Sequence, residues 1–509
     1  MPERGHSSAD LRVAAAHSLA QRLSPKYWEE HCLLPLAATD AELIVAAGAD
    51  VDPTVIDELC WVYGRRVALV PVPAAEIHAA VLSAQSATSA EAQTADVRGS
   101  DLVLLSPEDE ALDDARALAN QAPVIKLVNL MILEALRARA SDVHLETVPD
   151  GLRVRYRIDG VLQEISHSPR QYQAAVISRI KIMAGLNIAE RRVAQDGRIR
   201  LRLSDRELDL RVSITPTLHG EGVVLRILDR GAGVRDLDEL GLAEGVRQGI
   251  ELIIRQPHGI MLVTGPTGSG KTTTLYGALL RLNQPGVKIV TVEDPVEYQI
   301  DGVTQIPVNT KAGLTFAAAL RSILRHDPDV IMVGEMRDRE TAEIAIQAAL
   351  TGHLVFSTLH TNDAPSGIAR MVDMGVEPYL VTATVSGILA QRLVRLVCEA
   401  CGEEYQPPPP ALAAFRQMRL DLPRPQFRRG RGCDACNGTG YRGRTGIYEL
   451  MQLTDDLRAR ILSGAPIAEI RALAEANGLV SLREAAWAKA CAGVTTFEEV
   501  LRVTRDDLP

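Results

Sequence analysis

Aromatic side chains make up only 4% of this 509-residue chain, with 3 Trp, 10 Tyr and 5 Phe. Proteins that grip single-stranded nucleic acid stack its bases on such rings, so a stacking platform has little to be built from. An excess of basic charge is missing too. The 55 Lys and Arg face 65 Asp and Glu, a net charge of −10, which argues against coating a phosphate backbone while leaving room for a local basic patch. No run of about 20 apolar residues is present, the length a spanning helix needs. The opening "MPERGHSSAD" is not the charged start and apolar stretch of a secretory signal. These absences predict a cytoplasmic protein. Cysteine is scarce and odd in number, the 7 being Cys32, Cys60, Cys398, Cys401, Cys433, Cys436 and Cys491, which argues against a disulfide framework in a cytosolic chain.

At about 100–200 residues per domain, three or four cores are expected. Hydrophobic and charged contents of 46% and 24% are those of a globular protein, and abundant alanine favours helices. Residues 1–82 read as a small α+β domain. "SAQSATSAEAQTADVRGSD", Ser83 to Asp101, holds little bulky apolar surface and reads as the start of a flexible linker over 83–121. A helix is predicted from near Pro123, and its "VIKLVNLMILEALRARA" is apolar nearly all round, which implies burial. "LRVRYRIDGVLQEI", "GRIRLRL" and "RELDLRVSITPT" alternate with the period of half-buried strands, predicting an arginine-rich α+β domain over 122–230. Arg153, Arg155, Arg157, Arg200, Arg202 and Arg211 occupy its polar positions. Either a solvated face or a phosphate-facing one fits them. Over 231–397, apolar strands ("GIMLVTG", "KIVTVED", "DVIMVGE", "HLVFSTLH") alternate with helical stretches, as in a mainly parallel sheet covered on both faces. A helical region is expected over 447–509.

Chemistry is concentrated in four places. "GPTGSGKTT" sets Gly265, Pro266, Thr267, Gly268, Ser269, Gly270, Lys271, Thr272 and Thr273 between a strand and a helix, the context of a phosphate loop. Its backbone N–H groups would turn onto a triphosphate, with Lys271 on the β- and γ-phosphates and the Thr272 hydroxyl in the Mg²⁺ shell. "DVIMVGEMRDRET" ends a strand in Glu335, preceded by Gly334 where such enzymes commonly have Asp, so metal contact through water is expected. "TVEDPVEY" places Glu293, Asp294 and Glu297 at another strand end, and either cluster can supply the general base. The plainer alternative for Glu297 is an exposed turn acid. His360 closes the strand of "HLVFSTLH", a position for a phosphate sensor or a core histidine.

The fourth place is Cys398-x2-Cys401, 31 intervening residues and Cys433-x2-Cys436. Four thiolates in two such pairs suit Zn²⁺ in a closed structural site, with no position left open for catalysis.

Together "GPTGSGKTT", "VEDPVEY", "DPDVIMVGEMRDRET" and "GHLVFSTLHTND" resemble the Walker A, Asp box, Walker B and His box of secretion ATPases. "ASDVHLE", "RYRIDGVL" and "AQDGRI" resemble the domain that precedes the ATPase core in that family. The chain looks most like the type II secretion branch, with type IV pilus assembly ATPases as near relatives and a nucleic-acid translocase as the competing class. The resemblance implies an α/β fold. It would comprise a RecA-like P-loop ATPase domain (231–397), preceded by a PAS-like domain (122–230) and a small N-terminal partner-docking domain, with a zinc-binding insertion over 398–446. It further implies a homo-hexamer that hydrolyses ATP with Mg²⁺ to drive pseudopilus assembly, peripheral at the cytoplasmic face of the inner membrane. Implied partners are the cytoplasmic domain of the membrane-anchored L component, the platform protein or F component, and an acidic phospholipid surface, with no nucleic acid. Carried over from the family, Arg211 and Arg226 reach toward phosphate on domain closure, and Arg321, Arg325 and Arg337 are candidates on the ATPase side. Assembly and secretion ATPases tend to carry the four-cysteine element and retraction ATPases to lack it, so the cysteines imply an assembly motor.

Overall fold

The computed structural model describes residues 19, 23, 27, 28, 31–39, 41–48, 51–78, 80, 102–104, 122–203, 206–229, 233–407, 409 and 425–504. The chain divides into two compact units, Met1–Ala232 and Gly233–Pro509.

The first unit opens with strands β1 (Leu33–Ala38), β2 (Glu42–Ala47) and β3 (Arg66–Pro71). Their order is β1-β2-β3, with β1 antiparallel and β3 parallel to β2. A parallel neighbour needs a crossover, supplied by helix α1 (Pro53–Tyr63), which starts at an Asp52 cap and stops at Gly64 in the left-handed region. A larger sheet follows, ordered β4-β8-β9-β10-β5-β6-β7 and antiparallel throughout. Its strands are β4 (Leu102–Leu104), β5 (Ala140–Val148), β6 (Gly151–Ile158), β7 (Val161–Pro169), β8 (Gln195–Leu203), β9 (Arg206–Thr217) and β10 (Gly220–Asp229). Most of the expected linker over 83–121 lies outside the described residues. The apolar run that begins at Leu102 nevertheless supplies β4, whose three residues pair with β8. Helices α2 (Ala122–Arg137) and α3 (Arg170–Met183) share one core with the sheet. On α2, Val124, Val128, Met131, Ile132 and Ala135 are buried and Lys126 is exposed. Strand alternation sends Val143, Leu145, Val154, Tyr156, Leu210 and Val212 to that core. The arginines go to the other face.

The second unit is a seven-stranded sheet ordered β13-β12-β14-β15-β11-β16-β19, parallel except for the antiparallel edge strand. In chain order it comprises α4 (Glu244–Ile254), β11 (Gly259–Thr264), α5 (Lys271–Leu282), β12 (Ile289–Glu293), β13 (Thr304–Pro307), α6 (Phe316–Ile323), β14 (Val330–Val333) and α7 (Arg339–Leu350). Then come β15 (Leu354–Leu359), α8 (Pro365–Asp373), α9 (Pro378–Thr384), β16 (Val385–Val397), the small pair β17 (Gly402–Glu404) and β18 (Arg428–Gly430), and β19 (Tyr441–Gln452). Helices α10 (Asp455–Leu462), α11 (Ile467–Ala476), α12 (Leu482–Cys491) and α13 (Phe497–Val503) complete it. Every residue of β11, β12, β14 and β15 is buried, as parallel strands covered on both faces must be. One core lies on each side of the sheet. The boundary at 446/447 falls inside β19, because Gly446 is a strand residue. A Cβ there would collide with the Tyr448 ring. Helices begin only at Asp455.

Candidate nucleotide site and cysteine cluster

Parallel pairing brings the ends of three strands to one edge. Thr264 of β11 lies opposite Leu359 of β15, and Val333 of β14 opposite Ser357, so Gly265, Glu335 and His360 all emerge at the carboxyl edge where such sheets bind ligands. Gly265, Gly268 and Gly270 have φ of 146°, 78° and 88°, values that side chains rarely adopt. Ser269 is buried, whereas Pro266, Thr267 and Gly268 are exposed at the tip. Lys271 begins α5, with Thr272 and Thr273 in its first turn. The Lys271 ammonium donates to the carbonyls of Gly265 at 2.8 Å and Pro266 at 3.2 Å. Burial pushes its pKa down, opposed by the charge of Glu335.

Glu335 has a side chain only 14% exposed. One carboxylate oxygen lies 2.5 Å from Arg337, and the other 3.4 Å from His360 Nε2. Hydrogen bonding to Glu335 raises the Arg337 pKa further, and Asp294 adds its charge from the neighbouring strand end. The structure thus gathers Lys271, Glu335, Arg337, Asp294 and His360. Glu293 is turned away from a base's role. Only 3% exposed, it accepts from the Tyr276 hydroxyl, from Thr291 at 2.5 Å and from Gln305 at 3.1 Å, so its carboxylate is an anchor inside the sheet. Glu297 is half-buried beyond β12. Arg321 lies 2.5 Å from Glu340, and Arg325 donates to the Arg321 carbonyl at 2.9 Å, both exposed on α6 and just after it.

Two features escape a reading by local motif. Thr361 donates its N–H to Thr264 Oγ1 at 2.8 Å, fastening the chain after His360 to the base of the loop. Gln391, from β16, donates to the Ser269 carbonyl at 2.7 Å.

In the first unit Arg211 and Arg226 are cross-strand partners, and the register extends them into a row of Arg198, Arg211, Arg226, Asp142 and Arg157 on five consecutive strands. Residues directly opposite share a face. Asp142, 6% exposed, takes Arg226 Nε at 2.9 Å, with Arg157 Nε at 3.8 Å. The row thus sets four guanidiniums on the same face as one buried carboxylate.

The sulfurs of Cys398, Cys401, Cys433 and Cys436 all lie within 4.8 Å of one another. The Cys398–Cys433, Cys401–Cys436 and Cys433–Cys436 separations are 3.9, 3.9 and 3.8 Å. A tetrahedron with zinc–sulfur bonds of about 2.3 Å has edges of about 3.8 Å, whereas a disulfide needs about 2.05 Å. The donor set therefore fits a tetrahedral ion and not a pair of disulfides. Burial opposes ionisation of Cys436, but the N–H groups of Cys433 and Gly440, each 3.2 Å from its sulfur, hold the thiol down to about 7.

A strand–loop–helix phosphate cradle after β11, with an acid at the end of β14 two strands away in the same parallel sheet, defines a P-loop nucleotide-binding protein. Residues 117–502 match the family described as type II/IV secretion system protein, and residues 9–91 match the MshEN domain; the chain belongs to the type II/IV secretion system protein family. It is 50% identical to the type II secretion system protein E of Xanthomonas campestris pv. campestris over 96% of this chain and 85% of that one. Identity is 47% with the protein of the same name from Pseudomonas aeruginosa, over 97% and 98%. With the type IV pilus assembly ATPase PilB of Myxococcus xanthus it is 44%, over 94% and 85%. Among solved structures, the pilus retraction motor PilT with bound ADP aligns with a TM-score of 0.50 and 28% identity, covering 74% of this chain and 97% of that one. The Legionella pneumophila ATPase DotB shares the fold at a TM-score of 0.56 and 21% identity, covering 74% and 95%.

Proposed function

We propose that the chain is the Mg²⁺-dependent ATPase motor of a type II secretion system, working as a homo-hexamer at the cytoplasmic face of the inner membrane to drive pseudopilus assembly. One observation carries the chemical part. Lys271, a half-buried cation, is bonded only to carbonyls of its own loop, an arrangement that a triphosphate would replace with stronger charge-assisted bonds. Thr272 and, through water, Glu335 would hold Mg²⁺, which would neutralise charge on the β- and γ-phosphates. Glu335 then orients the attacking water, and Arg337 and His360 stand beside it to steady charge that develops on the phosphoryl group. The four cysteines would hold Zn²⁺ as a structural ion.

The secretion assignment follows the type II secretion relatives, and the four-cysteine cluster supports an assembly rather than a retraction motor. The L and F components and acidic phospholipid are the proposed partners. Among the described residues no helix is long and apolar enough to cross a membrane, consistent with peripheral attachment through them. Expression in a type II secretion deletion strain tests the assignment. Restored export of the strain's own substrates is expected, whereas restored pilus extension in an assembly-ATPase deletion, without restored export, would move the protein to the pilus branch.

A further inference from the structure

Gln391 touches both ends of the phosphate loop. The register that places Thr264 opposite Ala390 sets Gln391 beside Gly265, so closely that a Cβ on Gly265 would strike the Gln391 carbonyl. Two residues earlier on β16, Leu389 packs in the core with Leu275 and Leu279 of α5. Strand alternation therefore points the Gln391 side chain to the same face, where α5 and the loop lie. There Nε2 donates to the Ser269 carbonyl at 2.7 Å. Gln391 is 1% exposed, and its Oε1 and the Ser269 hydroxyl are both buried with no hydrogen-bond partner. A buried unsatisfied pair of this kind is rare enough to need a cause, and a site made ready for a polar ligand is one.

The Ser269–Gly270 peptide is trans, so its C=O and N–H point in opposite directions. Anchoring the carbonyl on β16 turns the Gly270 N–H away from that strand. We infer that Gln391 is a positioning residue of the phosphate loop, fixing the Ser269–Gly270 peptide so that the loop amides meet the triphosphate. The inference rests on the proposed nucleotide role of this loop.

The test uses the full chain and compares wild type, Gln391→Met and Gln391→Glu. Met keeps the volume and removes the donor. With the amide loosened, KM for Mg-ATP and Kd for a fluorescent ATP analogue should rise about tenfold, the scale of one hydrogen bond to a charged group. kcat should stay within about twofold, because ground-state and transition-state binding suffer alike. Glu keeps the shape but donates only when protonated, and burial favours its neutral form. Its KM relative to wild type should therefore fall toward one between pH 8 and pH 6. A purely structural residue would not show this recovery, and it remains readable should the Met variant fold poorly. A KM within about twofold of wild type for Gln391→Met, a loss confined to kcat, or a Gln391→Glu ratio that ignores pH would overturn the inference. Wild-type protein that binds no nucleotide would instead overturn the reading of the loop itself, and the inference with it.

Discussion

His360 Nε2 stands 3.4 Å from a carboxylate oxygen of Glu335, across the edge where β14 and β15 end. With Arg337 on the other oxygen, the carboxylate is held in place yet keeps lone pairs to spare. Glu335→Gln should therefore bind ATP normally and lose about 10²- to 10⁴-fold in kcat, the scale of general-base and water-orienting groups. Single-turnover hydrolysis with a parallel nucleotide-binding titration checks both halves.

Glu293→Gln should behave in the opposite way. Replacing an acceptor that serves Tyr276, Thr291 and Gln305 leaves a buried donor unmatched, costing about 1–3 kcal/mol of stability, while kcat stays within about threefold. Thermal unfolding and steady-state kinetics of the same preparation separate the two acids.

Loss of charge at the loop is the most severe change. Lys271→Ala should lower kcat at least about 100-fold with the fold intact, since the ammonium bonds only to the loop's own carbonyls. Circular dichroism matching wild type, with hydrolysis near background, is the expected result.

For the cysteines, one Zn²⁺ per chain is expected by elemental analysis. Chelation or Cys433→Ser should open residues 398–444 to protease and reduce secretion more than basal hydrolysis, because metal binding supplies folding free energy to a segment with little core of its own.

The base of that segment depends on Glu499 in α13. Fully buried, it accepts from the Arg395 side chain at 2.8 and 3.0 Å, from the Arg395 N–H at 3.0 Å and from Arg502 at 2.6 and 2.7 Å. Burial raises its carboxyl pKa, but the two arginines outweigh that and hold it below the ordinary value. A depressed folded pKa means that the stabilisation is complete above the unfolded value of about 4.3 and fades as pH falls through the folded one. Glu499→Gln should thus loosen α12 and α13 by about 3 kcal/mol at pH 7, read as faster amide exchange over 482–503. The difference from wild type should shrink below about pH 4.

The phosphate loop and the cysteine pairs were legible because their chemistry is written in consecutive residues. What stayed hidden depends on register. Arg211 and Arg226 came from the family resemblance, but nothing in "ASDVHLE" or "AQDGRI" says that Asp142 and Arg198 join them in one row, since that follows from how five strands pair. Gln391 lies 122 residues from the carbonyl it holds. Glu293 sits beside Asp294 in the sequence, yet it is buried and Asp294 exposed, a difference made by packing against Tyr276. The boundary expected at 446/447 falls inside a strand, where Gly446 makes room for an aromatic ring.

The cysteine-bearing excursion leaves β16 after Val397 and rejoins the sheet at Tyr441, and those two residues are cross-strand partners. An insertion whose two ends already face each other is topologically free: it can lengthen, shrink or be replaced by a tight hairpin without altering the order of any strand in the sheet. A metal held by the four cysteines would close the excursion upon itself in the same way, so the sheet and its appendage can diverge at different rates. The excursion can then change while the strand order that carries the phosphate loop is inherited unaltered.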